Sequence, residues 1–246
     1  MKIDLNCDMG ESFGRYPLGD DAAVMPFISS ANIACGLHAG DPIVMRSTIQ
    51  LAKQHGLAIG AHPGWPDLQG FGRREMNLTP HEVEAFVLYQ IGALAAFAKA
   101  EEFGLRHVKP HGALYNQAAK DRALADSIAR AVKSFDKDLI LVGLAGSALI
   151  ASALELSLRV ANEGFPDRRY NPDGTLVSRK EANAILESPE EVAAHAVTLA
   201  REGIDCAGQR VQVDTLCLHG DNLQAAENAR MVYDALAKNG IEVKAL

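Results

Sequence analysis

The sequence lacks the features that mark several large classes of protein. Its formal net charge is −7, and its Lys and Arg residues form no cluster of the kind that binds nucleic-acid phosphates. No uncharged run reaches the ~20 residues that span a bilayer, and the first residues turn polar too early for a secretory signal. We therefore expect a cytoplasmic protein that binds neither nucleic acid nor membrane.

Cysteine is scarce, and the standard nucleotide-binding motifs are absent. The four cysteines are Cys7, Cys35, Cys206 and Cys217. They form no CxxC pair, which argues against a zinc–thiolate site, and they lie mostly in apolar runs, which predicts buried free thiols in a reducing compartment. The chain contains neither a P-loop nor a GxGxxG motif, so any nucleotide must be bound by other means.

Short β-rich runs alternate with longer helical patterns along the chain. The runs lie near residues 2–8, 28–35, 57–62, 107–111, 139–144, 157–162 and 214–219. Such alternation predicts parallel βαβ units, and residues 241–246 are expected to supply an eighth strand. We expect an α/β fold with one domain over residues 1–246, a seven- or eight-stranded parallel β/α barrel, for which this length is ordinary.

Residues 162–182 break this rhythm. The segment contains Gly164, Pro166, Pro172 and Gly174, and long irregular segments in compact domains are usually functional. We expect an ordered loop or lid. The arginines here, together with those of the GFGRRE run at 70–75, have the fork geometry to clamp a carboxylate or phosphate, although a solvated face is the commoner outcome for such residues.

The positions of the histidines carry the strongest functional signal. Four of the eight end strand-like runs and are followed within two residues by glycine: His38, His62, His111 and His219. Because the carboxyl ends of parallel strands share one face, these side chains are expected to converge on an active site. Histidines that fall on helices or strand starts, and are expected to be structural, are His55, His81, His107 and His195.

The first strand adds acidic groups to that face. Its period-2 alternation places Asp4, Asn6 and Asp8 on one side, and Glu11 follows. Burying an unpaired carboxylate is costly, so a cluster of acids and imidazoles predicts either metal binding or general acid–base chemistry. The predicted metal ligands are Asp8, His38, His62 and His219. Lys109, in an apolar strand, is expected to meet either a carboxylate or an anionic substrate.

Blocks of the sequence resemble the LamB/YcsF family over almost the whole chain. They are DLNCDMGE at 4–11, SSANIACGLHAGD at 29–41, IGAHPGWPD at 59–67, FGRR at 71–74, VKPHGALYN at 108–116 and CLHGDN at 217–222. The resemblance implies a barrel of the glycoside hydrolase/deacetylase type that opens 5-oxoproline (pyroglutamate) to L-glutamate with ATP and Mg²⁺. It also implies PxpB-like and PxpC-like partner subunits.

Carried over residue by residue, the family's strand-end blocks land on Asp8, Glu11, His38, His62, Lys109, His111 and His219, and the resemblance does not by itself give each residue a role. The predicted catalytic residues are Asp8, Glu11, His62, Lys109 and His111, and the predicted ATP-binding residues are Arg74, Asn116, Arg168 and Arg179. The sequence departs from the family pattern within residues 162–184. Two alternatives stay open: a stand-alone metal-dependent deacetylase or amidohydrolase, and a subunit that binds substrate without catalysis.

Overall fold

Parallel strands dominate the computed structural model, which describes residues 1–178, 181–186, 188–218 and 225–246. The strands are β1 (Lys2–Met9), β2 (Ser30–Ala34), β3 (Ala58–His62), β4 (Leu105–Val108), β5 (Ile140–Leu144), β6 (Arg159–Gly164), β7 (Ile204–Cys206), β8 (Gln209–Val211), β9 (Thr215–Leu218) and β10 (Glu242–Val243). In the described ranges, β7 and β8 form a separate antiparallel hairpin, and the other strands form one parallel sheet.

That sheet closes into a barrel. β1 pairs with β2 through Asn6–Ser30 and with β9 through Asp4–Thr215, so seven strands of the described chain form a ring in the order β1-β2-β3-β4-β5-β6-β9. β10 pairs with the first residues of β1 as an eighth strand of the sheet. The predicted seven- or eight-stranded parallel β/α barrel is therefore confirmed.

Helices connect most of the strands. They are α1 (Asp21–Val24), α2 (Pro42–Gln54), α3 (Pro80–Ala100), α4 (Gly112–Ala118), α5 (Arg122–Phe135), α6 (Ala148–Glu155), α7 (Pro189–Glu202) and α8 (Ala225–Lys238), with a 3₁₀ turn at Met25–Phe27. Side chains fix several of their starts. Thr79 and Glu82 form a reciprocal capping box at α3, and the Asp41 carboxylate accepts the backbone N–H groups of Ile43 and Val44 at α2.

α3 is the most apolar of the long helices. Within the described residues, it is the helix that is long and apolar enough to cross a membrane by length and composition alone. Its buried side chains, Val83, Val87, Ile91, Leu94 and Ala98, belong to the main hydrophobic core. A helix that packs in the core of a barrel can be equally long and apolar, so this criterion alone is weak evidence for a membrane span.

The two faces of the barrel strands differ in chemistry. On β1, Ile3, Leu5, Cys7 and Met9 join the core shared with the helices, whereas the alternate residues are polar. Buried polar residues inside the ring include Asp4, Asn6, Ser30, Asn32, His107, Glu163 and Thr215. Hydrogen bonds must satisfy these groups, because an unpaired buried polar group costs several kcal/mol (roughly 2–7).

β6 extends further than the sequence pattern indicated. The prediction ended this strand at residue 162 and assigned the following residues to a loop, but pairing with β5 and β9 continues to Gly164. A Cβ atom on Gly164 would lie 3.2 Å from Val213 Cγ1. In the sequence, Gly164 suggested the end of the strand. In the structure, it lies within the sheet, where its close packing against Val213 leaves little room for a larger residue.

Candidate functional site

A polar cavity of about 680 Å³ opens at the carboxyl ends of the barrel strands. Its floor includes Asp8, His62, Lys109 and His111, which come from the ends of β1, β3 and β4 and the start of α4. A second cavity, of about 620 Å³, lies between α7, the β7–β8 hairpin and residues 170–172. None of the predicted site residues is among its described lining residues, so the site chemistry belongs to the strand-end cavity.

A buried ion pair lies at the base of the cavity. Lys109 Nζ donates to Asp8 Oδ1 at 2.9 Å and lies 3.0 Å from Glu163 Oε1. It also lies 2.9 Å from Cys217 Sγ and 3.3 Å from Asn6 Oδ1. The Lys109 side chain is only 3% exposed. The ammonium meets two carboxylates, which answers the question that the sequence left open for this residue.

Burial and charge oppose each other in this ion pair. Burial lowers the pKa of Lys109, but Asp8 and Glu163 outweigh it, so the pKa lies well above its ordinary value. Burial raises the pKa of Asp8, but His62 and Lys109 more than compensate, so that pKa lies well below its ordinary value. Both groups are therefore charged at neutral pH.

A hydrogen-bond network below the ion pair fixes its geometry. Asn32 Nδ2 donates to Asp8 Oδ1 at 2.8 Å and to Asn6 Oδ1 at 2.7 Å, and His107 Nε2 lies 2.7 Å from Asn32 Oδ1. Asn6 Nδ2 in turn donates to Glu163 Oε1 at 3.0 Å. Side chains from β1, β2, β4 and β6 thus hold the reactive groups at fixed positions before any ligand arrives.

Three histidines and a glutamate converge beside Asp8. Glu11, His38, His62 and His111 each bring one potential ligand atom, and these atoms all lie within 4.8 Å of one another. The rings of His38 and His111 stack with their centroids 3.9 Å apart. His62 Nε2 lies 3.2 Å from Asp8 Oδ2, so this histidine cluster adjoins the ion pair.

Backbone carbonyls determine which histidine nitrogens carry hydrogen. His62 Nδ1 lies 2.7 Å from the carbonyl oxygen of Lys109, and His111 Nε2 lies 2.9 Å from that of Phe71. A carbonyl oxygen only accepts, so both of these nitrogens are protonated. In the neutral rings, His62 Nε2 and His111 Nδ1 therefore face each other with lone pairs at 2.9 Å. Either a proton or a metal ion between these two nitrogens removes that repulsion.

Burial keeps His38 and His111 neutral. It lowers the pKa of His111 to about 3, and it lowers the pKa of His38 well below the ordinary value. His38 is fully buried, and neither of its ring nitrogens has a hydrogen-bond partner among the described residues. Neutral imidazoles with available lone pairs are the form of histidine that binds metal ions.

The remaining predicted residues fall in different places. Asn116 and Arg168 line the cavity, and Arg168 Nη2 donates to the carbonyl oxygen of Val177 at 2.6 Å. Arg74 pairs with Asp67 through two guanidinium N–H groups and lowers the pKa of that carboxyl to about 2, while its neighbour Arg73 lines the cavity. His219 and Arg179 lie outside the described residues.

Sequence reasoning missed several members of the site. Glu163 was assigned to a loop, Asn32 was not singled out, and His107 was expected to be only structural. Glu163 contacts Lys109, and His107 supports the amide that holds Asp8. One signal was available for Glu163, because it precedes a glycine at a strand end as the selected histidines do.

Comparison with known proteins gives consistent matches over the full length. The model of the LamB/YcsF family matches residues 3–246. A protein from Pyrococcus furiosus, named as the A subunit of 5-oxoprolinase, is 53% identical over 247 residues, covering 99% of this chain and 97% of that one. Another protein of that name, from Geobacillus kaustophilus, is 54% identical over 250 residues, covering 99% and 96%.

A solved structure matches equally well. The crystal structure of a lactam utilization protein from Thermus thermophilus superposes with a TM-score of 0.93 at 49% sequence identity, and each chain is covered completely. The superposition therefore includes the barrel strands whose carboxyl ends form the cavity.

Proposed function

Because the chain belongs to the LamB/YcsF family, we propose that it is the A subunit of a 5-oxoprolinase, which opens 5-oxoproline to L-glutamate with hydrolysis of ATP. The observation that carries the proposal is the full-length identity of about half to proteins of that name. The strand-end cavity supports it, since a preorganised Asp8–Lys109 pair at its floor suits the hydrolysis of an amide.

The chemistry of the substrate explains the need for ATP. 5-Oxoproline is an unstrained γ-lactam, and amide resonance protects its carbonyl carbon from water. Transfer of a phosphoryl group to the amide oxygen makes that carbon electrophilic. A first water then attacks that carbon and the C–N bond breaks, which gives the γ-phosphate ester of glutamate, an acyl phosphate. A second water hydrolyses the acyl phosphate, so that glutamate, ADP and phosphate are formed.

The charged residues have distinct roles in this scheme. We assign to Asp8 the orientation of the attacking water, because its carboxylate is ionised and reaches the cavity. Lys109, held as an ammonium by Asp8 and Glu163, stabilises negative charge that develops on the substrate. Glu11 is the second candidate base, and His62 and His111 complete the polar wall of the site.

ATP with Mg²⁺ and the partner subunits belong to the same proposal. Asn116 and Arg168 line the cavity and are the candidates to contact the nucleotide, together with Arg74 and Arg179. PxpB-like and PxpC-like subunits are the proposed partners, which agrees with the word "subunit" in the names of the relatives. The free cysteines suit the cytoplasm, where we propose that the complex acts.

The test is an assay of glutamate formation and ATP hydrolysis from 5-oxoproline, with this chain added to or omitted from its partners. We expect turnover only when the chain is present. Asp8→Asn is expected to lower turnover at least about 100-fold, because the amide cannot act as a base or carry the charge that pairs with Lys109. Circular dichroism and thermal unfolding check that the variant is folded.

An exposed ion pair provides the matched control. Lys137 and Asp138 also form a 3.0 Å contact, but both side chains are 76% exposed. Asp138→Asn is expected to keep full turnover. If Asp8→Asn also keeps it, the chain is a non-catalytic binding subunit; if the chain alone hydrolyses amides without ATP, it is a stand-alone amidohydrolase. Either result would reject the proposal.

A further inference from the structure

We propose that Glu11, His38, His62 and His111 form a binding site for one divalent transition-metal ion of the zinc type. These residues lie at or just beyond the carboxyl ends of β1, β2, β3 and β4, so consecutive barrel strands bring them to one point. The inference goes beyond the proposed function, because metal binding requires neither 5-oxoproline nor ATP. It also replaces the ligand set expected from the sequence, in which Asp8 and His219 stood in place of Glu11 and His111.

The distances between donor atoms suit a single ion. His111 Nδ1 lies 3.6 Å from Glu11 Oε1 and 2.9 Å from His62 Nε2, and His38 Nε2 lies 3.8 Å from Glu11 Oε1. Ligands bound at about 2.0–2.2 Å to a tetrahedral ion lie about 3.3–3.6 Å apart. The widest separation within the set is 4.8 Å, so the four residues reach one ion with side-chain adjustments of up to about 1 Å.

The backbone contacts of two of the histidines match those of metal ligands. A ligating imidazole almost always donates its second N–H to a carbonyl, carboxylate or water, which fixes the tautomer and the ring orientation. His62 donates to the carbonyl of Lys109, and His111 donates to the carbonyl of Phe71. Both lone pairs consequently point to the same place.

A shared proton is the competing explanation for the close approach of His62 to His111. It would relieve the contact between those two lone pairs, but it would leave His38 buried with no hydrogen bond to either ring nitrogen among the described residues. A metal ion engages His38 together with the other two rings. The ion thus accounts for one more buried polar group than the proton does.

Glycines leave room for the rings at this point. A Cβ atom on Gly64 would lie 2.5 Å from His38 Nδ1, and one on Gly72 would lie 2.9 Å from His111 Cδ2. Gly72 also has a φ of +61°, which favours glycine. The loop after β3 can therefore pack directly against the imidazoles of the site.

The donor set selects the type of ion. Three imidazoles and one carboxylate suit Zn²⁺, Co²⁺, Ni²⁺ or Fe²⁺, whereas Mg²⁺ and Ca²⁺ prefer oxygen ligands. The negative charges of Glu11 and of Asp8, whose Oδ2 lies 3.2 Å from His62 Nε2, offset the charge of the ion. The proposed site is therefore distinct in chemistry from any Mg²⁺ that accompanies ATP.

The experiment measures metal uptake by the full chain without substrate or nucleotide. The protein is stripped with a chelator, dialysed against Zn²⁺ or Co²⁺, and analysed by elemental analysis and, for Co²⁺, by visible absorption. We expect one ion per chain and the absorption of Co²⁺ with nitrogen and oxygen ligands. His38→Gln is the main variant, since His38 makes no hydrogen bond among the described residues whose loss would unfold the chain.

His81→Gln is the matched control, because His81 is exposed in the first turn of α3. We expect His38→Gln and Glu11→Gln to weaken metal binding at least about 10-fold and His81→Gln to leave it unchanged. Uptake well below one ion per chain, or uptake that both site variants retain in full, would overturn the proposal. Loss of turnover in Asp8→Asn would still support the oxoprolinase function in that case.

Discussion

At the scale of single residues, the site depends on charges that are buried together. Lys109 retains its ammonium inside the barrel because Asp8 and Glu163 lie within 3.0 Å of Nζ. Removing one partner from such a group typically costs about 3–5 kcal/mol, close to the stability of a marginal domain. The same contacts that make the pair useful for chemistry therefore also stabilise the fold.

His107 predicts how stability depends on pH. Burial lowers its pKa to about 3, so the unfolded chain binds a proton at this residue below its ordinary pKa of 6.5 while the folded chain does not. The free energy of unfolding therefore falls as the pH drops from about 6.5 towards 3. His107→Gln keeps an N–H donor for Asn32 but cannot titrate.

The comparison requires urea unfolding of both proteins at pH 7.5 and pH 5. We expect the wild type to lose about 2 kcal/mol more than His107→Gln between these values, since each unit below 6.5 contributes about 1.4 kcal/mol. His55→Gln, at an exposed helix end, serves as the control. Equal losses in the wild type and His107→Gln would show that His107 does not titrate as described.

At the scale of elements, β3 and β4 approach each other so closely at Gly60 that there is no room for a side chain at this position. Gly60 pairs with His107, and a Cβ atom on Gly60 would lie 2.2 Å from that ring. Gly60→Ala is therefore expected to destabilise the fold by about 3 kcal/mol or more, measured by chemical unfolding. A Cβ atom on Gly92, in α3, would have no neighbouring atom within 4 Å. Gly92→Ala is therefore expected to raise the free energy of unfolding by up to about 1 kcal/mol.

Individual elements show what the sequence can and cannot predict. The strand-end positions of His38, His62 and His111 were sufficient to predict that they meet, because parallel strands finish on one face. Whether Asp8 or Glu11 joins them was not predictable, since this depends on side-chain reach within a few ångströms. Glu163 was missed because Gly164 and Pro166 resemble a strand end, whereas the packing of Val213 against Gly164 keeps the strand intact.

At the scale of the whole molecule, the pairing of β9 with β1 closes the barrel, and we call this pairing the seam. Where β9 pairs with β1, Thr215 Oγ1 donates to Asp4 Oδ2 at 2.5 Å and accepts from Asn6 Nδ2 at 2.6 Å. Ser30 Oγ donates to the other oxygen of Asp4 at 2.6 Å. Burial raises the pKa of Asp4, so its carboxylate depends on these donors to remain inside the ring.

Thr215→Val preserves shape and removes both hydrogen bonds. We expect it to lower the free energy of unfolding by about 2–3 kcal/mol, the cost of leaving one oxygen of the buried Asp4 carboxyl group without its donor. Thr198→Val, on the exposed face of α7, should change stability by less than about 0.5 kcal/mol. Denaturant unfolding of the two variants gives the comparison, and an equally small effect at Thr215 would contradict the role given to the seam.

The loop after β3 is fastened to the start of α4. His111 N–H donates to the carbonyl of Pro63, His111 Nε2–H to that of Phe71, and Ala113 N–H to that of Gly72. These three hydrogen bonds hold this part of the cavity wall in a fixed position, so we do not expect it to move when a ligand enters. Among the described residues, Phe165, Arg168 and residues 175–178 form another wall of the cavity, and it is against this wall that we expect a partner to pack when it seals the reaction from water.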